Sequence, residues 1–224
     1  KGMNHPGIAR VLHVSADVKR PYFIMPFMRR GSLAGLMEPT RPAAKEFILD
    51  VARPIARALD YAHRKGIIHR DLKPANVLLD DQGGVCLSDF GLARTVFNDS
   101  VLDVTRGQRL GTLPYMSPAV ARGEAEDTRC DIYSFGAMLY ELLTGCPPYE
   151  GPSREQIIEA IRARPPRPIR EIAPKAPPDL VTVAEGAMAR NLRDRYAQMS
   201  DIVADLDAIA EGRRPRGPAR ARPG

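Results

Sequence analysis

The segment His69-Arg70-Asp71-Leu72-Lys73-Pro74-Ala75-Asn76 constrains this chain more than any other. It is polar, and two short apolar runs, Ile67-Ile68 and Val77-Leu78-Leu79, bracket it and read as buried strands. A turn, Asp80-Asp81-Gln82-Gly83-Gly84, leads to a third such strand, Val85-Cys86-Leu87. Asp89-Phe90-Gly91 then follows, thirteen residues after Asn76. Asp and Asn both favour loops, so turn chemistry alone would account for each of them singly. It does not account for the whole pattern at this spacing.

The flanking elements are legible from periodicity. Ile8–Val14 and Tyr22–Phe27 read as strands joined by a polar turn at Ser15–Arg20, and Ser32–Met37 as a short capped helix. Ala43–Arg64 is helical, with Phe47, Val51, Ile55, Leu59 and Ala62 forming one buried face. Pro54 lies inside that helix, where it removes a backbone hydrogen bond at a cost of about 3 kcal/mol unless the helix bends; Gly66 ends it. Asp89–Thr112 is a long polar stretch without periodicity, a length of loop that usually has a task. Beyond it lie only helical patterns. Ile132–Leu143 is apolar nearly all round and so is expected to be central, followed by Ser153–Arg164, Leu180–Ala189 and Ser200–Ala210. The Pro-rich stretch Arg164–Pro178 reads as a rigid connector.

The octapeptide matches H-R-D-L-x-x-x-N and, with the Asp-Phe-Gly after it, resembles the catalytic and metal-binding loops of protein kinases. The resemblance implies an α+β, protein kinase-like fold: a mostly helical large lobe with a truncated small-lobe β-sheet. It implies transfer of the ATP γ-phosphate to Ser or Thr of protein substrates, with Mg²⁺ as the metal. Asp71 would be the catalytic base, since an aspartate is ionised at neutral pH and can accept the hydroxyl proton. Asn76 and Asp89 would supply the oxygen ligands that hard cations require. Lys73, two residues after Asp71, resembles the Lys of Ser/Thr kinases rather than Tyr kinases and would face the transferred phosphate. His69 would pack under Phe90 as part of the core.

Further segments extend the resemblance. Gly111–Pro118 is similar to the peptide-positioning loop, where Thr112 would bond to Asp71 and Lys73. Ala119 stands where kinases usually carry a Glu that pairs with an Arg, here Arg195. Loss of one side of a buried pair often costs about 3–5 kcal/mol, so either Arg195 finds another carboxylate or that loop is loosened. Asp131, in Asp127–Gly136, would accept catalytic-loop amides, or would be a plain helix-start acid. Arg70 implies control by a phosphate on Thr95, Ser100 or Thr105. Tyr22–Met28 resembles the last small-lobe strand and hinge, with Met25 as gatekeeper, Met28 backbone groups on adenine and Leu78 beneath the ring. Core packing explains Met25 and Leu78 equally well.

His5-Pro6-Gly7-Ile8 aligns with the segment that follows the regulatory helix of kinases, and these 224 residues hold no Gly-rich phosphate loop and no V-A-I-K Lys. The expected division is a small-lobe remnant at 1–27, the large lobe at 28–211 and a disordered Arg/Pro-rich tail at 212–224. Two functional readings stand: a Ser/Thr protein kinase, inactive if this truncated chain acts alone, and a non-catalytic pseudokinase-like binding or scaffolding module.

Charge narrows the partners. Of 33 basic residues, the five arginines of the tail account for most of the net charge of +6, leaving 28 against 27 acids elsewhere. The folded part is therefore near neutral and gives no reason to expect a nucleic-acid partner. No apolar run is long enough to span a membrane, the opening residues Lys1–Pro6 have no apolar h-region and so do not read as a signal peptide, and three dispersed cysteines imply no disulfide frame or zinc site, so a cytoplasmic location with reduced thiols is expected. ATP and proteins bearing Ser or Thr are the expected partners.

Overall fold

The computed structural model describes residues 3–15, 22–90 and 110–218, and every structural statement below concerns these. The elements in chain order are β1 (His13–Val14), β2 (Phe23–Ile24), α1 (Leu33–Leu36), α2 (Lys45–Arg64), β3 (Val77–Leu79), β4 (Val85–Leu87), α3 (Pro118–Ala121), α4 (Thr128–Thr144), α5 (Arg154–Ala163), α6 (Ile169–Ile172), α7 (Pro178–Ala187) and α8 (Met199–Ala210). Short 3-10 turns occupy Pro74–Asn76 and Leu110–Tyr115.

Helix α4 is the axis of the fold. Its apolar residues are buried on every side, as an all-round hydrophobic pattern requires. The Asp127 carboxylate caps its start by accepting from the Arg129 amide at 2.8 Å, and Gly145 ends it in the left-handed conformation, φ 77°. Gly136 lets α7 approach: a Cβ there would stand 2.8 Å from the Ala187 Cβ and 3.0 Å from the Ala184 carbonyl oxygen. Helix α2 packs against both α4 and α8. Pro54 sits within its unbroken 20 residues, and the Pro54 carbonyl lies against Gly7.

The β-structure is two separate antiparallel ribbons. In one, β3 and β4 pair with Val77 opposite Leu87 and Leu79 opposite Val85. Asp80 shapes their turn by accepting the Gln82 and Gly84 amides at 2.9 and 2.7 Å. In the other, β1 and β2 pair over two residues, and Val14 and Ile24 are 66% and 47% exposed although both are apolar.

Several expected elements differ. The strand expected over Ile8–Val14 shrinks to two residues because its start bonds elsewhere: Ile8 bridges to Leu87, the Ala9 amide donates to the Leu87 carbonyl and the Leu87 amide to the Gly7 carbonyl. The strand expected over Tyr22–Phe27 is likewise reduced to Phe23–Ile24. Ile67-Ile68 is no strand; the Ile67 amide turns back to the Ala62 carbonyl of α2. The connector 164–178 contains the one-turn helix α6. Residues 212–218 of the expected disordered tail have defined positions, because Asp205 accepts the Arg216 and Gly217 amides at 2.8 and 2.9 Å and the Arg213 amide donates to the Ala208 carbonyl. Residues 219–224, Gly91, Thr95, Ser100 and Thr105 lie outside the described residues. No helix among the described residues is long and apolar enough to cross a membrane.

Candidate active site

Gly66, with φ 71°, turns the chain out of α2 and into the polar loop 67–76. Asp131, in the first turn of α4 and 1% exposed, receives that loop. Its Oδ2 accepts from the His69 amide at 2.8 Å and its Oδ1 from the Arg70 amide at 2.9 Å. The His63 ring of α2 donates from Nε2 to the same carboxylate at 2.7 Å. The acid is therefore more than a helix-start charge. It ties α2, α4 and the loop together, and it fixes Arg70 at φ 68°, a left-handed conformation that side-chain-bearing residues rarely adopt.

His69 is fully buried, and burial holds its pKa below the usual imidazole value, so it is neutral. Its Nε2 donates to the Ser88 carbonyl at 3.0 Å, its Nδ1 accepts from the Asp71 amide at 3.3 Å, and its ring lies 4.5 Å from that of Phe90. This is a packing role, as the resemblance implied.

The Asp71 carboxylate collects two neighbours. Lys73 Nζ donates to its Oδ1 and Oδ2 at 3.1 and 2.8 Å and also to Thr112 Oγ1 at 2.6 Å. Asn76 Nδ2 donates to the Asp71 carbonyl at 2.7 Å and to Asp71 Oδ2 at 3.0 Å. With the amide nitrogen so engaged, the Asn76 side-chain oxygen is turned from Asp71. The Asn76 backbone carbonyl accepts from the Ser88 amide at 2.9 Å and the Ser88 hydroxyl at 3.2 Å, and that hydroxyl lies 3.4 Å from Asp89 Oδ2. Ser88 thus links the Asn76 loop to Asp89, itself at φ 60°. Asp71, Lys73, Thr112, Asn76 and Asp89 come together through these contacts, although Thr112 is distant in sequence. The Asn76 amide oxygen and the Asp89 carboxylate are hard oxygen donors that suit a divalent cation. The described residues contain no cluster of three or more His, Cys, Asp or Glu side chains around one point, so other oxygens would have to complete a coordination shell.

A large cleft opens beside Asp89 and Phe90, walled by Ile8, Val11, Leu87 and Met25. Met28 and Leu78 are half-buried and are not among its described lining residues. They stand on neighbouring segments: the Met28 carbonyl accepts from the Gly31 amide at 3.0 Å, the Gly31 carbonyl accepts from Leu79 at 3.0 Å, and Ser32 bridges to Leu78.

The loop 110–118 is anchored despite Ala119. The Tyr115 carbonyl accepts from the Ser134 hydroxyl at 2.8 Å, and the Tyr115 hydroxyl donates to Glu141 of α4. Ser117 caps α3. Arg195, 3% exposed, makes no ion pair with a carboxylate among the described residues: its guanidinium donates to the carbonyls of Ala189 and Arg129 at 2.8 and 3.2 Å and lies 5.1 Å from the centre of the Tyr133 ring. Burial lowers its pKa. Two carbonyls and a ring face replace the expected ion pair.

Sequence reading missed Ser88, His63, Glu126 and the Tyr115–Glu141 contact. A serine before Asp-Phe-Gly or an acid among three near Asp127 carries no pattern that marks it. Glu141 gives a testable pH effect. Burial raises its pKa above the ordinary carboxyl value, so the folded state holds its proton more tightly than the unfolded chain. Its contribution to stability is therefore complete below the unfolded pKa and is lost as pH rises through the folded one. Glu141→Gln is expected to flatten the fall of the thermal midpoint just above that ordinary value; thermal scans across the range check it, and an unchanged slope counts against it.

Comparison with known proteins gives one consistent relationship. The protein kinase domain family matches residues 1–204. The chain is 38% identical over 210 residues to the serine/threonine-protein kinase PknL of Mycobacterium tuberculosis, covering 93% of this chain and 52% of that protein. It is 34% identical over 221 residues to PknB of Mycolicibacterium smegmatis, covering 96% of this chain and 35% of that one. For PknB of Mycobacterium leprae the identity is 32% over 220 residues, with 96% and 35% covered. The chain spans about half the length of the first of these relatives and about a third of the others.

Proposed function

The chain belongs to the protein kinase domain family, and from that membership we propose that the protein transfers the γ-phosphate of ATP to serine or threonine side chains of protein substrates. The observation that carries this is the contact set around Asp71, with Lys73, Thr112 and Asn76 bonded to or through one carboxylate and Asp89 one serine away. A protein of this family uses a nucleoside triphosphate with a divalent metal; Mg²⁺, held by Asn76 and Asp89, is the fitting ion for all-oxygen ligands, and it would offset negative charge on the phosphates.

The residues then divide the work. Asp71 orients the substrate hydroxyl and accepts its proton as the oxygen bonds to the γ-phosphorus and the bond from that phosphorus to the bridging oxygen breaks, releasing ADP. Lys73, already held between Asp71 and Thr112, places a positive charge where negative charge builds on the transferred group. Thr112 fixes the Lys73 ammonium and so the mouth of the peptide-positioning loop. Met25 on the cleft wall, with Met28 backbone groups and Leu78, would seat the base. The pairs of bonds from Lys73 and Asn76 to Asp71 mean the catalytic carboxylate is oriented before substrate arrives, which is where most of the rate advantage of such a site originates.

The test is incubation of the protein, expressed from its complete gene, with ATP labelled at the γ-phosphate and a Ser/Thr-containing protein. Label on phosphoserine or phosphothreonine is the expected result. Nucleotide binding without transfer would instead fit a pseudokinase-like binding module, and label confined to tyrosine would contradict the assignment of Lys73.

A further inference from the structure

Arg70 is the least relaxed residue of the catalytic loop, and both of its charged anchors come from one short stretch of chain. Asp131 Oδ1 accepts its backbone amide at 2.9 Å, while Glu126, one residue before the Asp127 cap of α4, pairs with its guanidinium: Nε stands 3.2 Å from Glu126 Oε2. The Glu126 side chain is 12% exposed and that of Arg70 40%, so the acid is the shielded member of the pair. Arg70 is held at φ 68° directly before Asp71. It cannot relax to an ordinary conformation without straining both contacts, and such relaxation would swing the Asp71 carboxylate away from Lys73 and Asn76.

We propose that Glu126 is the resident anionic partner of Arg70, a positioning residue that holds the catalytic loop in order without a phosphate. The Arg of this loop was expected to await a phosphate on Thr95, Ser100 or Thr105. Here a carboxylate of the chain itself already stands against the guanidinium at Nε and matches its charge. A phosphate arriving from elsewhere would meet a cation that is paired, so it would add little order. Glu126 acts through Arg70 on the direction of Asp71, and its removal should therefore lower kcat and leave the KM for ATP in place. The rate effect rests on the kinase reading above; the clamp on the loop does not.

The experiment uses the protein expressed from its complete gene, stripped of phosphate by a phosphatase and checked by intact mass. Wild type, Glu126→Gln and Glu126→Ala are compared by hydrogen exchange and by steady-state phosphate transfer. In Glu126→Ala, exchange of peptides spanning 67–76 is expected to rise by about fivefold while the rest of the domain is unchanged. Its kcat is expected to fall roughly five- to tenfold, with Glu126→Gln, which keeps one acceptor oxygen, between it and wild type. Wild type should keep its kcat after dephosphorylation. Unchanged exchange at 67–76, exchange rising throughout the domain, or collapse of wild-type kcat on dephosphorylation each overturns the proposal. Exchange that rises locally in a protein with no transfer activity at all supports the clamp and removes the kinase reading instead.

Discussion

Asp71→Asn is expected to lower kcat for phosphate transfer by about 10²–10⁴-fold while the protein stays folded. The exchange keeps the shape of the side chain and removes its charge and one acceptor. In the wild type both carboxylate oxygens accept from Lys73 Nζ, and one also accepts from Asn76 Nδ2. An amide in that place turns an NH₂ group toward either the ammonium or the Asn76 amide, so a donor faces a donor. Lys73 keeps Thr112, and the amides of His69 and Arg70 keep Asp131. The loop therefore holds while the proton acceptor is gone. Asp71 is only partly buried, so the stability cost is expected to stay near about 1 kcal/mol. Parallel measurement of kcat and thermal midpoint separates the two effects. A variant that keeps more than about a tenth of wild-type kcat would show that Asp71 does not receive the proton.

Asp131→Ala should have the largest effect on the fold. The substitution removes the acceptor of two loop amides and of the His63 ring at one stroke. Among the described residues no other contact of the protein's own atoms replaces those amide bonds, and a buried donor left without an acceptor costs about 1–3 kcal/mol. With partial relaxation the total should reach about 3–5 kcal/mol, a fall of roughly 10 °C in the thermal midpoint for a chain of this size. Urea unfolding and thermal scans give the two quantities directly. A loss below about 1 kcal/mol would mean that water reaches the loop amides and that Asp131 is a local cap after all.

The sequence resolves this protein unevenly, for reasons that lie in particular residues. Helices α2 and α4 were legible to within a few residues because their apolar spacing records burial directly; β3 and β4 matched because Val77–Leu79 and Val85–Leu87 are short apolar runs set off by a turn. Ile67-Ile68 has the same composition and no strand, since composition cannot say whether a neighbour offers a free edge. Around Asp71 the motif marked the residues and the structure supplied the bonds among them. Ser88, Glu126 and Glu141 were invisible because their roles depend on what stands across from them in space. Arg195 shows the opposite case: Ala119 correctly signalled a missing carboxylate, but the carbonyls of Ala189 and Arg129 that take its place leave no trace in side-chain identity.

The attachment of residues 213–218 bears on how the domain can be cut. Asp205 is 3% exposed, and it accepts from the Tyr196 hydroxyl at 2.6 Å as well as from the amides of Arg216 and Gly217. Shortening the chain at 211, just past the last helix, would leave that carboxylate with one donor in place of three and uncover Gly186, against which the Pro218 ring lies. Expression boundaries chosen for crystallisation or binding work should therefore not fall before 218.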